Sequence, residues 1–483
     1  MQNISNELKV YELSLIWKEA EYNFAFWEKL NGTLDWDKAY KDALPNVLAT
    51  DNLYDYYMEL SKFLALLRDG HTNINFPQSV ISSRAYLPVF FNYIDGKHII
   101  THDHKSLNIN QFLIVKKFNG VDIDEYIEKN ILPYIWHEKY DSAYGQIRSF
   151  LQLGEENSEV ELEVEEDGAS RVITIKRIKN KMKWVYNQKG ILNMMMHKAS
   201  RFMKPYAIKI FGKKKLAPSQ YRHNHNMQPS EELEGIYSSN SHRIYKTKDN
   251  IAVIVIDTFS NNKLGEEFYA NQRILETMSG FIIDVRKNGG GNSDNADNVA
   301  KAFIDGEIRT GRDLKPIHIG TYKAWAKYQG FGDKTYDELV SERGYSELLE
   351  KMYKIPKHMY YEEEESFISH EGCPFLLNQP LVVLSSCSTG SAAEDFLITL
   401  DQANRVIIVG SASCGSTGQP LFVDLESGGS FRICTRNCTY PDGRQFIDIG
   451  VQPHIKCELT LDDYKNGVDS VMNKGLEEIR KLV

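Results

Sequence analysis

Residues 381–402 read LVVLSSCSTGSAAEDFLITLDQ, an apolar run that passes through small residues into a helical pattern. Leu381 to Leu384 is short enough for a strand buried on both faces, and Ala392, Ala393, Phe396, Leu397 and Leu400 then recur at helical spacing. Ser391 stands at the junction, facing the unpaired N–H groups that open a helix. Those donors and the helix dipole can stabilise negative charge on a carbonyl oxygen attacked by the serine, as acyl transfer requires. The same residues, Ser391-Ala-Ala-Glu394, also spell a capping box, in which the serine merely caps the helix. The segment alone leaves both readings open.

Upstream, the pattern alternates strands and helices from about Tyr245. A buried strand is expected at Asn250 to Ile256, a helix at Leu264 to Met278, a strand at Gly280 to Val285 and a helix at Asn295 to Phe303. Downstream follow a strand at Val406 to Val409, paired strands between Pro420 and Thr439, and helix from Leu461 onward. Strands separated by helices imply right-handed crossovers and a largely parallel sheet. Between two of these elements lies RKNGGGNSDN, residues 286–295. Glycines at the end of a buried strand let backbone approach another group closely or let N–H groups converge on an anion. The loop lacks the lysine and hydroxyl of a nucleotide loop and the spacing of a dinucleotide fingerprint. An oxyanion hole fits better, with the N–H groups of Gly290 and Ala392 aimed at one spot.

The first part of the chain, Ile4 to about Leu67, is helical in pattern, with Asp51 expected to cap the last helix and Gly70 to close it in a left-handed conformation. His71 follows at once, and a strand begins with Thr72, Ile74 and Phe76. From Leu87 to Arg177, alternating runs with turns at Asp95-Gly96 and Asn119-Gly120 mark a small β-rich unit with one helix over Asp124 to Leu132. Its order resembles a PDZ-like domain, whose open sheet edge takes an extended peptide. From Arg171 to Pro229 there is no Asp or Glu but 15 Lys and Arg residues. Lys198, Arg201, Lys204 and Lys209 interleave with apolar residues, as on a membrane-surface helix, or the segment packs on the protein's own acidic regions.

The bulk figures set the frame. With 483 residues about three domains are expected, and a net charge of −9 with 42% apolar and 25% charged content describes a globular chain with no nucleic-acid partner for its whole surface. No run of about 18 apolar residues predicts a membrane span, and the N-terminus lacks a secretory pattern, so it reads as mature protein; the compartment stays open. The six cysteines form neither a disulfide framework nor a paired CxxC motif. His102-Asp-His104 and His223-Asn-His225 lack an evident third ligand for zinc.

Several motifs then line up. GFIIDVRKNGGGNSDNA (280–296), STGSAAEDF (388–396) with ANRVIIVGSASCGSTGQP (403–420), YPDGRQFIDIGVQPHI (440–455) and LRDGHTNI (67–74) resemble, in order, the motifs of the C-terminal processing (tail-specific) serine peptidases, the last matching the tricorn-like branch. The resemblance implies a multidomain α/β protein: an N-terminal helical domain at 1–78, a PDZ-like β-rich domain at 79–180, a basic insertion or linker at 181–242, and a crotonase-like (spiral) α/β catalytic domain at 243–483. It implies Ser391 as nucleophile and, since Ser416 stands where the tail-specific branch has its lysine base, His71 as base. Asp448 in the closing motif is the expected third catalytic group, with Glu394, Asp395 and Thr72 as alternatives. Peptides or unfolded proteins are the implied substrates, no cofactor is implied, and homo-oligomerisation is allowed. The rival reading is a catalytically silent relative that binds a hydrophobic ligand or a peptide.

Overall fold

The computed structural model describes residues 4–30, 32–103, 107, 109–135, 139–179, 227–314, 320–332, 334–358 and 367–483. The tetrad of basic residues from Lys198 to Lys209, His104 and the His223/His225 pair lie outside the described residues. Among those described, no helix is long and apolar enough to cross a membrane.

Four helices open the chain: α1 (Asn6–Asn23), α2 (Trp27–Leu30), α3 (Trp36–Leu48) and α4 (Leu53–Ala65). Ser5, Asp35 and Asn52 cap α1, α3 and α4 by accepting backbone N–H bonds. The cap of α4 is therefore Asn52 and not Asp51, because Asn52 has the extended backbone and bonds the Asp55 amide at 3.0 Å. Leu13, Ile16, Trp36, Tyr56, Leu60 and Phe63 form the core between the helices, and Phe431, Ile433 and Cys434 from the C-terminal half complete it. The end of α4 also departs from expectation. Arg68, with φ 53°, takes the left-handed conformation expected of Gly70. The buried carboxylate of Asp69 supplies the reason: it captures the His71 amide (3.1 Å) and the Thr72 hydroxyl (2.6 Å), so the chain turns two residues early. Strand β1 (Asn73–Asn75) follows.

The β-rich unit holds β2 (Val89–Ile94), β3 (Lys97–Asp103), β4 (Leu113–Phe118), β5 (Glu159–Glu166) and β6 (Ala169–Lys176), adjacent in that order and antiparallel. Helices α5 (Ile123–Asn130) and α6 (Tyr140–Gln152) cover one face, burying Ile123, Ile127, Tyr144, Ile147 and Leu151 against Val115, Val160 and Leu162.

The large sheet runs β7 (Glu234–Ser238), β8 (Arg243–Lys246), β9 (Ile251–Val255), β10 (Gly280–Asp284), β11 (Leu381–Ser385), β12 (Ile407–Gly410), and last β15 (Ile455–Lys456), which follows the hairpin β13 (Pro420–Asp424) and β14 (Ser430–Cys434) in sequence. From β9 onward the pairs are parallel. Both faces are covered, as the apolar stretches Ile251–Val255, Phe281–Ile283 and Leu381–Leu384 of β9 to β11 demand. On one side Phe281, Ile283 and Val383 meet Val299 of α7 (Ser293–Ala300) and Ala393, Phe396 and Leu397 of α8 (Ala392–Gln402); on the other Ile282 and Leu384 meet Met472 and Leu476 of α9 (Ser470–Arg480). The single helix expected over Leu264 to Met278 is two short ones, Leu264–Tyr269 and Gln272–Leu275. Between them the Asn271 side chain donates back to the Glu267 carbonyl at 2.8 Å, competing with the helix ladder.

Two features place the site. The antiparallel pairing of β1 with β14, Ile74 opposite Phe431, stitches the segment after α4 to the C-terminal half and delivers His71 there. Beyond β10, the Arg286 guanidinium is buried between Asp284 (2.8 Å) and Asp469 (2.7 Å), the cap of α9. This triad fixes the start of the glycine loop to the helix below the sheet. Breaking a buried pair leaves an uncompensated charge, so Arg286→Ala is expected to lower unfolding free energy by about 3–5 kcal/mol, measured by urea denaturation of the full chain.

Candidate active site

Strand β11 ends in a turn that neighbouring backbone holds from several directions. Thr389 Oγ donates to the Val285 carbonyl (3.0 Å), Ser386 Oγ to the Arg286 carbonyl (2.5 Å), and the Gly390 amide to the Asn288 carbonyl (3.0 Å). The next residue, Ser391, has φ 56° and ψ −127°. A non-glycine residue there stores about 1–3 kcal/mol of strain, which persists only when the surroundings over-determine it. Its N–H is held twice, by the Ser416 carbonyl and by Glu394 Oε2, each at 3.1 Å. The two side chains are arranged as in a capping box, but only the Glu394 half is a full hydrogen bond. The Glu394 amide donates to the Ser391 carbonyl at 2.7 Å, and the serine hydroxyl makes no capping bond.

The glycine loop crosses directly over this turn. A Cβ on Gly290 would sit 2.6 Å from Ser391 Cβ and 2.7 Å from the Gly390 carbonyl, so only glycine fits, and its φ of 99° excludes other residues as well. Its N–H donates to Asn288 Oδ1 at 3.0 Å. The asparagine side chain competes for the donor, a local choice that no glycine pattern could reveal. Ala392 is the first residue of α8, where an N–H has no partner within the helix.

His71 is half-buried beside Ser416, its Nδ1 2.5 Å from the Ser416 hydroxyl. Asp448 belongs to the same neighbourhood: its amide donates to the Gly415 carbonyl (2.7 Å), one residue before Ser416, and its φ is 68°. Its carboxylate pairs with Lys29 of α2. Glu394 is completely buried. Besides the Ser391 amide it accepts the Ser413 hydroxyl (2.5 Å) and the amides of Gly415 (2.6 Å) and Ser416 (3.1 Å). Burial pushes its carboxyl up to about 7 against the opposing pull of these four bonds. Lys139, at the start of α6, reaches from the β-rich unit to the carbonyls of Ala412 (3.4 Å), Ser413 and Ile449 (3.5 Å). Burial lowers the pKa of its ammonium.

Of the residues expected from sequence, Gly290, Ser391 and Ala392 are packed together, while His71 and Asp448 both border the loop 413–416. Sequence reasoning missed the Ser416 contact to His71, the four bonds of Glu394, which only its capping position hinted at, and the reach of Lys139. Asp395, next to Glu394, accepts the Ser293 hydroxyl (2.7 Å) and lies 3.8 Å from Arg436. Among the described residues, no group of three His, Cys, Asp or Glu is arranged to hold a metal ion.

Residues 250–457 match the sequence model of peptidase family S41. The stretch covers β9 to β15, including Ser391, Glu394, Ser416 and Asp448, so the chain carries a peptidase family S41 domain. The carboxy-terminal-processing protease of Bartonella bacilliformis is 24% identical over 224 residues, 46% of this chain and 41% of that relative. The match thus spans less than half the relative's length. Among solved structures, mature CPAF complexed with lactacystin aligns over 99% of both chains, with a TM-score of 0.65 and 16% identity. Mature CPAF without it gives 0.65 and 15%, over 99% of this chain and 96% of that one. These likenesses show the fold: a multidomain α/β architecture shared along the whole chain.

Two predictions follow from packing and charge. Gly290→Ala is expected to displace the turn at Ser391 and lower the midpoint of thermal unfolding, since its Cβ would meet backbone at 2.7 Å. Asp297 lies close to Asp395 and Asp294; burial, then these two carboxylates, raise its pKa to about 7. A carboxyl raised in the folded state contributes most below its unfolded value, and stability falls as pH climbs through 3.8 toward 7. Asp297→Asn should therefore raise the thermal midpoint at pH 8 and leave it unchanged near pH 3.

Proposed function

We propose that this protein is a serine peptidase that hydrolyses bonds in peptides or unfolded proteins, with Ser391 as nucleophile and His71 as general base. The observation that carries the reading is the backbone of Ser391. A serine forced to φ 56° at a strand-to-helix turn, with its amide held twice, is costly for a residue that only starts a helix. The family S41 domain that includes this turn supports the same reading.

In the proposed reaction the Ser391 hydroxyl attacks the scissile carbonyl while His71 takes its proton, and the histidine then delivers that proton to the leaving amine. With Ser416 at Nδ1, the proton passes through Nε2. The Ala392 N–H receives the oxyanion, and the Gly290 N–H joins it on release from Asn288. Asp448 is the third group, a residue that borders the same loop 413–416 as His71 and whose carboxylate charge Lys29 balances. Water then releases the acyl group from Ser391 by the reverse sequence.

The domain reading accompanies this proposal. Residues 1–78 supply His71, residues 79–180 form a PDZ-like module, residues 181–242 link it onward, and residues 243–483 form a crotonase-like catalytic domain. The sheet edges at β2 and β6 are where an extended substrate segment would add as a strand.

Ser391→Ala and His71→Ala are each expected to reduce hydrolysis of an unfolded protein such as casein by at least about 1,000-fold, with far-UV circular dichroism unchanged. Casein cleavage by folded Ser391→Ala at the rate of the unsubstituted protein would refute the assignment.

A further inference from the structure

The buried carboxylate of Glu394 is larger than capping needs. A cap is satisfied by one return bond to the Ser391 amide. Glu394 instead carries a full carboxylate into a site with no exposure and uses both oxygens twice. Oε2 accepts the amides of Ser391 and Ser416, both at 3.1 Å, and Oε1 accepts the Ser413 hydroxyl at 2.5 Å and the Gly415 amide at 2.6 Å. The Ser391 amide also bonds the Ser416 carbonyl, closing a ring between the two serines. Ser413 is fixed in turn, since its hydroxyl accepts the Val451 amide at 2.7 Å. Desolvating a carboxylate is expensive unless all its acceptor sites are filled, and here they are.

We propose that Glu394 is the positioning residue for both halves of the site, holding the backbone of Ser391 and of Ser416 in one frame and so setting where His71 stands relative to the nucleophile. Ser391 carries the reacting hydroxyl, and Ser416 carries the hydroxyl that touches His71 Nδ1 at 2.5 Å. Both amides end on Oε2, so a shift of that oxygen moves the two together. Glutamine keeps the shape but not the acceptors. If its NH2 group takes the Oε2 place, the amides of Ser391 and Ser416 face a donor; if it takes the Oε1 place, the Gly415 amide does. The inference rests on Ser391 as nucleophile and His71 as base, and its test separates the two.

The test is the second-order rate of fluorophosphonate labelling, measured on the full chain and counted per chain that finally labels. The unsubstituted protein must first label at Ser391; absence of label there overturns the catalytic reading and this inference together. Given labelling, Glu394→Gln is expected to reach the same final stoichiometry about 100-fold more slowly, the cost of misplacing reacting groups by about 1 Å. A residue serving only stability would lower the thermal midpoint and leave the rate per labelled chain unchanged, and that result overturns the inference alone. In a Ser416→Ala background, which cuts the link to His71, Glu394→Gln should slow labelling less than it does in the unsubstituted chain; full additivity counts against it. Should Glu394→Gln not fold, Ser413→Ala removes one donor to Glu394, together with the acceptor of the Val451 amide, and keeps every backbone donor to the carboxylate. It is expected to slow labelling about fivefold, the worth of one hydrogen bond, and an unchanged rate overturns the inference.

Discussion

A close approach of three backbone segments governs this structure. The turn at Ser391 lies under the glycine loop at Gly290 and beside the loop 413–416, and no side chain separates Gly290 from it. Each segment begins at the C-terminal end of a strand in the parallel part of the large sheet, β10, β11 and β12, which are hydrogen-bonded neighbours in that order. Parallel strands bring their C-terminal ends to the same edge, and that edge is where open α/β sheets place their sites. The contact therefore follows from topology, while its tightness follows from glycine.

The site also draws on elements far away in sequence. His71 arrives because β1 pairs with β14, and the buried Asp69 carboxylate sets the turn that presents it. Lys29, from the same helical part, reaches Asp448. Lys139 reaches in from the β-rich unit. All three parts of the chain thus touch the ring of loops around Ser391, and the helical core is itself closed by Phe431 and Ile433 of the hairpin. Such an arrangement makes the geometry around Ser391 depend on how the parts dock.

Much of the frame was legible from residue order. Asn250 to Ile256 and Gly280 to Val285 read as strands, Leu381 to Leu384 as one buried on both faces, and the serine at the strand-to-helix junction stood out because small residues surround it. Direction and partner choice were not legible. The same glycine pattern serves whether the Gly290 amide faces a ligand or Asn288, and only three-dimensional packing decides between them. Glu394 looked like half of a capping box because its three extra loop partners, Ser413, Gly415 and Ser416, lie about twenty residues on, beyond any local periodicity. Gly70 seemed the natural helix stop, yet a side-chain carboxylate one residue earlier settled the turn at Arg68 instead.

The most direct test of the account is a crystal structure of the protein after reaction with a fluorophosphonate. The account predicts phosphorus bonded to Ser391 Oγ, the phosphoryl oxygen within hydrogen-bond distance of the Ala392 N–H, and His71 Nε2 facing Ser391 with Nδ1 on Ser416. An adduct on another residue, or His71 turned away from a modified Ser391, would contradict it.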